Sequence, residues 1–315
     1  MIVRNGAGLK MMFREYILRN WVAIILISSV GLLMRYLDDV FLGFQATVFS
    51  SSAVSMLATV VGIFLVFRFD NAYQRWWEAR KLWGQLVNSS RTFARQVRTL
   101  LSPERVKHDY SVSQLATLHK TLIYRQIAFV NALRMHLREE SDLAQLKPFI
   151  KEAELALVEG KDNIPCELLN LQATELAELL GDSVEQTMLL MQFDNTLTAI
   201  TDTQGACERI NNTVFPDMVS HISKYFVWGM AFLIPAVFLE PDKSIYVVEL
   251  ITVLFMAMAF IIVQQLAVSL MNPFDNKKND TPMSALCRTI ERDLKRQLGE
   301  TDLPEPVKPV KGILM

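Results

Sequence analysis

The sequence predicts an all-α membrane protein in which four transmembrane helices per subunit are joined to a large cytosolic helical bundle. Three observations carry that expectation. The chain of 315 residues is 51% hydrophobic and yet 21% charged, with a positive mean hydropathy of +0.23, a mixture that suggests apolar spans joined to a polar domain. Four apolar runs stand apart in it, each with basic residues crowded on one side. The long region between the second and third runs is poor in Gly and Pro and repeats its apolar residues at helical spacing.

Taken in order, residues 1–20 form a cytosolic segment with Arg4, Lys10, Arg14 and Arg19 against Glu15. The first run, Trp21–Met34, is uncharged but only fourteen residues long. Crossing a hydrocarbon layer of ~30 Å takes about twenty residues, so this span needs its flanks, with Arg19 and Arg35 snorkelling. A signal peptide is the competing reading, but "MRYLDDVFLGF" offers no small-residue cleavage pattern and a second apolar run follows at once. That second run, Phe41–Phe67, is free of charge and exceeds the usual length of a core helix. The pair occupies 21–69.

Residues 70–222 read as the cytosolic helical domain. In "LATLHKTLIYRQIAFVNALRMHL" the residues Leu115, Leu118, Leu122, Ile123, Ile127, Val130 and Leu133 recur at helical intervals, and breaks fall near Pro103, Pro148, Pro165 and Gly181. Charge is segregated here. Residues 68–138 carry 13 Lys/Arg against 4 Asp/Glu, and residues 139–185 carry 3 against 12. Such runs are either ordinary solvated surface or an electrostatic guide for ions. The second pair of spans occupies 223–272, with Tyr225–Leu239 containing Pro235, which a membrane helix tolerates, and Leu250–Met271 free of charge. Residues 273–315 supply a cytosolic helix and a Pro-rich tail.

The short links at 35–40 and 240–244 are acidic on balance, through Asp38, Asp39, Glu240 and Asp242. Basic residues cluster on the other side of the spans, so both termini and the middle domain are expected in the cytosol. The membrane is then the plasma membrane, which is the inner one in a Gram-negative cell.

Several chemistries are excluded. Cys166, Cys207 and Cys287 are odd in number and scattered, against a disulfide framework. The four histidines lack zinc-ligand spacing, and neither a phosphate-binding Gly loop nor a GxSxG elbow occurs. No enzyme activity, cofactor, metal site or nucleic-acid partner is expected.

One stretch stands out, "RFDNAYQRWWEARKLWGQLV" at 68–87, which directly follows the second run. Arg75, Trp76, Trp77, Glu78 and Arg80 suit an interfacial anchor, with aromatic rings at the headgroups and charge beyond them. The whole pattern also resembles the bestrophin family, and its "RWWEARKLWG" core is similar to the bacterial branch. "NPFDNKKNDTPMSALCRTIERDL" from Asn272 and "FPDMVSHISKYFVW" from Phe215 resemble further family segments in the same order.

The resemblance implies a homopentamer around a central pore, hence a passive channel for small inorganic monovalent ions, surrounded by membrane lipid. Met56, Thr59 or Val60, Ile63 and Phe67 fall three to four apart on one face of the second span. Carried over from the family, the pore neck is Thr59, Ile63 and Phe67, stacked rings that act as a hydrophobic gate. Thr59 departs from the apolar pattern and is expected to weaken the seal. Leu57 and Leu65 are expected to face away from the neck, so that substituting them mostly changes stability. A second constriction toward the cytosol falls at Met188 or Leu189.

Animal members pass chloride and bind Ca²⁺ after Asn-Pro-Phe; here Lys277 and Lys278 interrupt the acidic run, so no calcium gating is expected. The bacterial branch includes cation-conducting members, and the sign of the ion stays open. The alternative reading is a non-conducting membrane scaffold with a cytosolic partner-binding domain.

Overall fold

A computed structural model of the chain describes residues 7–41, 50–107, 110–181, 183–213, 217–238, 246–310 and 314. Arg4, residues 42–49 of the second apolar run, Phe215, Leu239 and the link 240–244 lie outside the described residues.

Helices carry the fold, with no strand among the described residues. In chain order they are α1 (Ala7–Val40), α2 (Ser51–Leu100), α3 (Val112–Leu137), a 3₁₀ turn (Leu143–Leu146), α4 (Glu152–Val158), α5 (Ile164–Leu179), α6 (Val184–Asn212), α7 (Asp217–Phe238), α8 (Tyr246–Leu270) and α9 (Met283–Gln297). Stretches Leu18–Leu37, Ser51–Leu100, His221–Phe238 and Val247–Leu270 are long and apolar enough to cross a membrane. The first is a 34-residue helix rather than a fourteen-residue run. The reason is local, because nothing in the polar flank "MRYLDDV" breaks a helix: no Pro or Gly lies between Leu32 and Val40. Likewise α2 does not stop at the end of its apolar run but continues to Leu100, 50 residues in all.

The chain divides into two compact units. One comprises Arg4–Trp76 and Val214–Asn272, the other chiefly Trp77–Thr213 and Pro273–Met315. In the apolar unit α1, α7 and α8 pack mutually. Its core joins Ala23 and Ile27 of α1, Val61 and Leu65 of α2, Ala231 and Ile234 of α7, and Ala257 and Ile261 of α8. The alanines are what let helices approach closely, since lipid is as apolar as leucine and association rests on packing. A reciprocal amide pair adds a polar tie between α1 and α8: Asn20 Nδ2 donates to Gln265 Oε1 at 3.3 Å, and Gln265 Nε2 donates to Asn20 Oδ1 at 2.6 Å.

The polar unit is built around α3, against which α5, α9 and α6 pack. Ile123, Ile127, Phe129 and Val130 are at most 1% exposed, each such side chain contributing roughly 1.5–3 kcal/mol by leaving water. Ser111 and Ser183 start α3 and α6 with capping boxes, their hydroxyls accepting from the backbone N–H of Gln114 and Gln186. Gly181 takes φ 129°, a conformation that L side chains rarely adopt, immediately before α6. Pro165 sits in the first turn of α5, where its missing N–H costs nothing.

Arg125 is the buried charge of this unit. Its guanidinium lies 2.5 Å from Glu154 and 2.6 Å from Glu175, and donates to Gln172 Oε1 at 3.0 Å.

Candidate functional site

In the apolar unit α2 turns two different faces. Val61 and Leu65 are buried in the core, whereas Met56 is 73%, Ile63 53% and Phe67 67% exposed. Thr59 lies on the exposed face too, and its hydroxyl donates to the Ser55 carbonyl at 3.0 Å. The three neck candidates therefore share one face that the subunit's own helices leave uncovered. Leu65 points away from the Ile63 face and packs into the core of the unit at 2% exposure, while Leu57 is 41% exposed. Two residues on a helix subtend about 200°, so a partner of Ile63 at that spacing falls on the bundle side.

The tryptophan motif is divided between the units. In the apolar unit the Tyr73 and Trp76 rings meet at 5.8 Å between centroids, and Phe69 and Tyr73 at 6.4 Å; Arg75 is half-buried beside them. In the polar unit Trp77 remains 44% exposed, Glu78 receives Arg209 at 3.0 Å, and Arg80 is half-buried. Trp83, one turn on, is wholly buried in the core of the polar unit.

The two candidates for a cytosolic constriction separate. Leu189 is 7% exposed and part of the core, while Met188 is 60% exposed. Met188 belongs to a face of α6 that stays exposed at seven-residue intervals, through Asn195, Asp202 and Arg209. A second such row runs beside it, from Val184 to Met191 to Thr198. These rows were readable in the sequence as a heptad-spaced face, although nothing there distinguishes an exposed row from a buried one.

Within the polar unit α2 and α6 run antiparallel. Glu78 meets Arg209, the Phe93 and Phe193 rings meet edge-on at 6.0 Å between centroids, and Gln96 Nε2 donates to the Gln192 carbonyl at 3.4 Å.

The segment after α8 closes on itself. Thr281 N–H donates to the Pro273 carbonyl at 2.9 Å, Lys277 N–H donates to Asp280 Oδ2 at 2.8 Å, and Lys277 Nζ pairs with Asp275. Asn276 takes φ 64° to make the turn. Burial pushes the Asp280 carboxyl up to about 6, with Asp275 adding to the rise and the Lys277 N–H opposing it. Among the described residues no group of His, Cys, Asp or Glu is arranged to hold a metal ion.

A family model described as Bacterial/Fungal Bestrophin protein matches residues 8–296. A Salmonella typhi protein named voltage-dependent anion channel-forming protein YneE is 29% identical over 308 residues, covering 93% of this chain and 96% of that one. The protein of the same name from Escherichia coli K12 is 32% identical over 261 residues, 83% of this chain and 81% of that one. Among solved structures, a bacterial Bestrophin homolog from Klebsiella pneumoniae matches with a TM-score of 0.76 at 24% identity, covering 89% of this chain and 98% of that one.

Proposed function

Because the chain belongs to the bacterial and fungal bestrophin family, we propose that it is a passive ion channel of the plasma membrane, assembled from five copies around one axis. The observation that carries this reading is the uncovered apolar face of α2, with Ile63 and Phe67 more than half exposed while Val61 and Leu65 of the same helix are buried. Four apolar helices cannot enclose a path for ions, but a closed ring of identical subunits can, each contributing the same face. Rings of Thr59, Ile63 and Phe67 would then form the neck, where a narrow apolar tube gates by dewetting.

Met188 supplies the second constriction, because it is exposed where Leu189 is committed to the core. The exposed residues of α8, such as Phe255 at 76% and Val248 at 62%, suit contact with lipid. Basic residues on the near side of the spans support cytosolic termini. The names of the Salmonella and Escherichia relatives support small anions such as chloride as the permeating species. The channel works without calcium gating: Lys277 sits within the Asn276–Asp280 turn with its ammonium on Asp275, where a divalent cation would meet repulsion.

Reconstitution of the full chain in planar bilayers tests this directly, alongside native mass spectrometry in detergent. Current in a symmetric chloride salt and a five-subunit mass are the expected results. A stable monomer or dimer, or bilayers that stay silent while holding folded protein, would overturn the reading.

A further inference from the structure

One cavity in the polar unit is lined by none of the candidate pore residues. It holds about 260 Å³ and opens where the C-terminal end of α3, the 3₁₀ turn and the start of α5 meet. Drug-sized ligands take pockets of ~300–1,000 Å³, so an occupant here is smaller. Met135, Leu143, Leu146, Ile164 and Pro165 give the cavity an apolar lining. The polar residues around it are His136, Glu139, Glu140 and Asp162.

The three carboxylates are not equivalent. Glu140 is taken up by Arg134 at 3.2 Å and Arg138 at 3.7 Å. Glu139 and Asp162 are exposed, and neither has an ion-pair partner among the described residues. His136 is turned to a carboxylate of its own, with Nε2 3.6 Å from Glu208 Oε1. That oxygen also accepts from Asn163 Nδ2 at 2.9 Å and Gln204 Nε2 at 2.8 Å. Gln204, only 4% exposed, keeps a carbonyl oxygen without a partner. Lys161 is exposed next to Asp162 in the chain but does not line the cavity.

The helix ends that meet here offset one another. α3 brings its negative C-terminal end and α5 its positive N-terminal end, the latter capped by Asn163 Oδ1 accepting from the Cys166 N–H at 3.1 Å. The sign of the cavity therefore rests on its side chains, and two unpaired carboxylates make it negative.

We propose that this cavity binds a small primary amine in its ammonium form, the hydrocarbon body against the apolar lining and the cation at the Glu139 and Asp162 rim. A sphere of this volume is roughly 8 Å across, so one small molecule reaches both lining and rim. An ammonium carries three donors and no acceptor, which suits carboxylates, and its bonds to them are roughly twice as strong as neutral ones. A bare metal ion fits poorly: calcium takes about six to eight oxygen ligands, and no group of His, Cys, Asp or Glu among the described residues is arranged to hold one. An anion would meet like charge. The inference goes beyond the channel reading and does not depend on conduction.

The test is isothermal titration of 2-phenylethylammonium into the full-length protein in detergent, with detergent alone as the blank. Three further probes divide its features. 2-Phenylethanol keeps the body without the charge, methylammonium keeps the charge without the body, and 3-phenylpropanoate reverses the charge. Saturable binding of one amine per chain is expected, about tenfold tighter than either partial probe, with no binding of the propanoate. Glu139→Gln with Asp162→Asn should weaken the amine by about fivefold or more, less than a buried charge-assisted bond would give because both carboxylates are exposed. Glu139→Asp with Asp162→Glu keeps both charges and should hold the affinity within about twofold, which a merely structural role of the two side chains would not predict.

Folded wild type that gives no saturable heat with the amine overturns the proposal. So does 2-phenylethanol binding as tightly as the amine, which would leave an apolar dimple and no cation site. Unchanged affinity in a double neutralisation that elutes and melts as wild type overturns it too, by placing the amine elsewhere. Should the double variant elute differently, Glu139→Gln alone, a change at one exposed side chain, decides the same question.

Discussion

Truncating Ile63 and Leu65 to alanine, two positions apart on α2, separates a role in the pathway from a role in packing. Leu65 is 2% exposed in the core of the apolar unit, and Ile63 is 53% exposed. Leu65→Ala deletes fully packed methyl groups and leaves a cavity, a change that costs ~2–5 kcal/mol. Ile63→Ala deletes three carbons of which about half the surface lacks neighbours in the subunit. At ~0.8 kcal/mol per buried methylene the packing loss is about 1 kcal/mol.

Conduction should order the two the other way. If Ile63 and Phe67 form stacked rings, an ion sheds part of its hydration there without polar replacement, and widening the ring lowers that barrier. The assay is paired: single-channel current at fixed voltage and melting temperature of the assembled protein, on the same preparations. Ile63→Ala and Phe67→Ala should raise conductance or open probability with small losses in melting temperature. Leu65→Ala should melt several degrees lower with unchanged unitary current. Lower melting with unchanged current at both 63 and 67 would refute the neck and move the barrier to the level of Met188.

Four further outcomes follow from individual contacts. Arg125→Met should cost ~3–5 kcal/mol, read by chemical denaturation, because Glu154 and Glu175 lose the cation that lies within 2.6 Å of each. Asp280→Asn should stabilise the protein at pH 8 and lose that advantage progressively as pH falls from 6 to about 4 in thermal melts: burial holds the native carboxyl up near 6, well above its unfolded value, so folding disfavours its ionised form above that pH and no longer does once both states are protonated. Native protein treated with a maleimide at pH 8 should take one label per chain by mass spectrometry, at half-buried Cys166, because burial pushes the Cys207 and Cys287 thiols up to about 12. Thr59→Val should reduce current roughly two- to tenfold, the scale set by exchanging a hydroxyl for a methyl in apolar surroundings, and equal currents would show that the Thr59 hydroxyl, already donating to Ser55, contributes nothing to wetting.

How legible each part was in the sequence depended on whether its cause is local. The apolar runs and the buried row Leu122, Ile123, Ile127, Val130 and Leu133 of α3 follow from periodicity and chain stiffness, and the structure has them. Helix ends were less legible: α1 and α2 overrun their apolar segments because polar residues without Pro or Gly continue a helix as readily as they border a membrane. Trp83 was harder again: an indole one turn beyond an interfacial motif carries nothing in the sequence that tells whether it is buried. Met188 and Leu189 are adjacent, so only packing could separate them.

The charge segregation of the middle domain had two readings, solvated surface or guide for ions, and the contacts divide the residues between them. Much of the basic stretch 68–138 is spent on the acidic stretch that follows it: Arg105 on Glu185, Arg125 on Glu154 and Glu175, Arg134 and Arg138 on Glu140. Others go to α9 and its C-terminal side, Arg91 to Asp293 and Lys120 to Glu300. These pairs tie elements within the polar unit, and a cation with a carboxylate at 2.5–4 Å presents little net field to a passing ion. What remains exposed and without an ion-pair partner on this face of α2 is Lys81, Arg95 and Arg98. The count of 13 against 4 therefore overstates the net field that this stretch presents, since much of its charge is neutralised inside the polar unit.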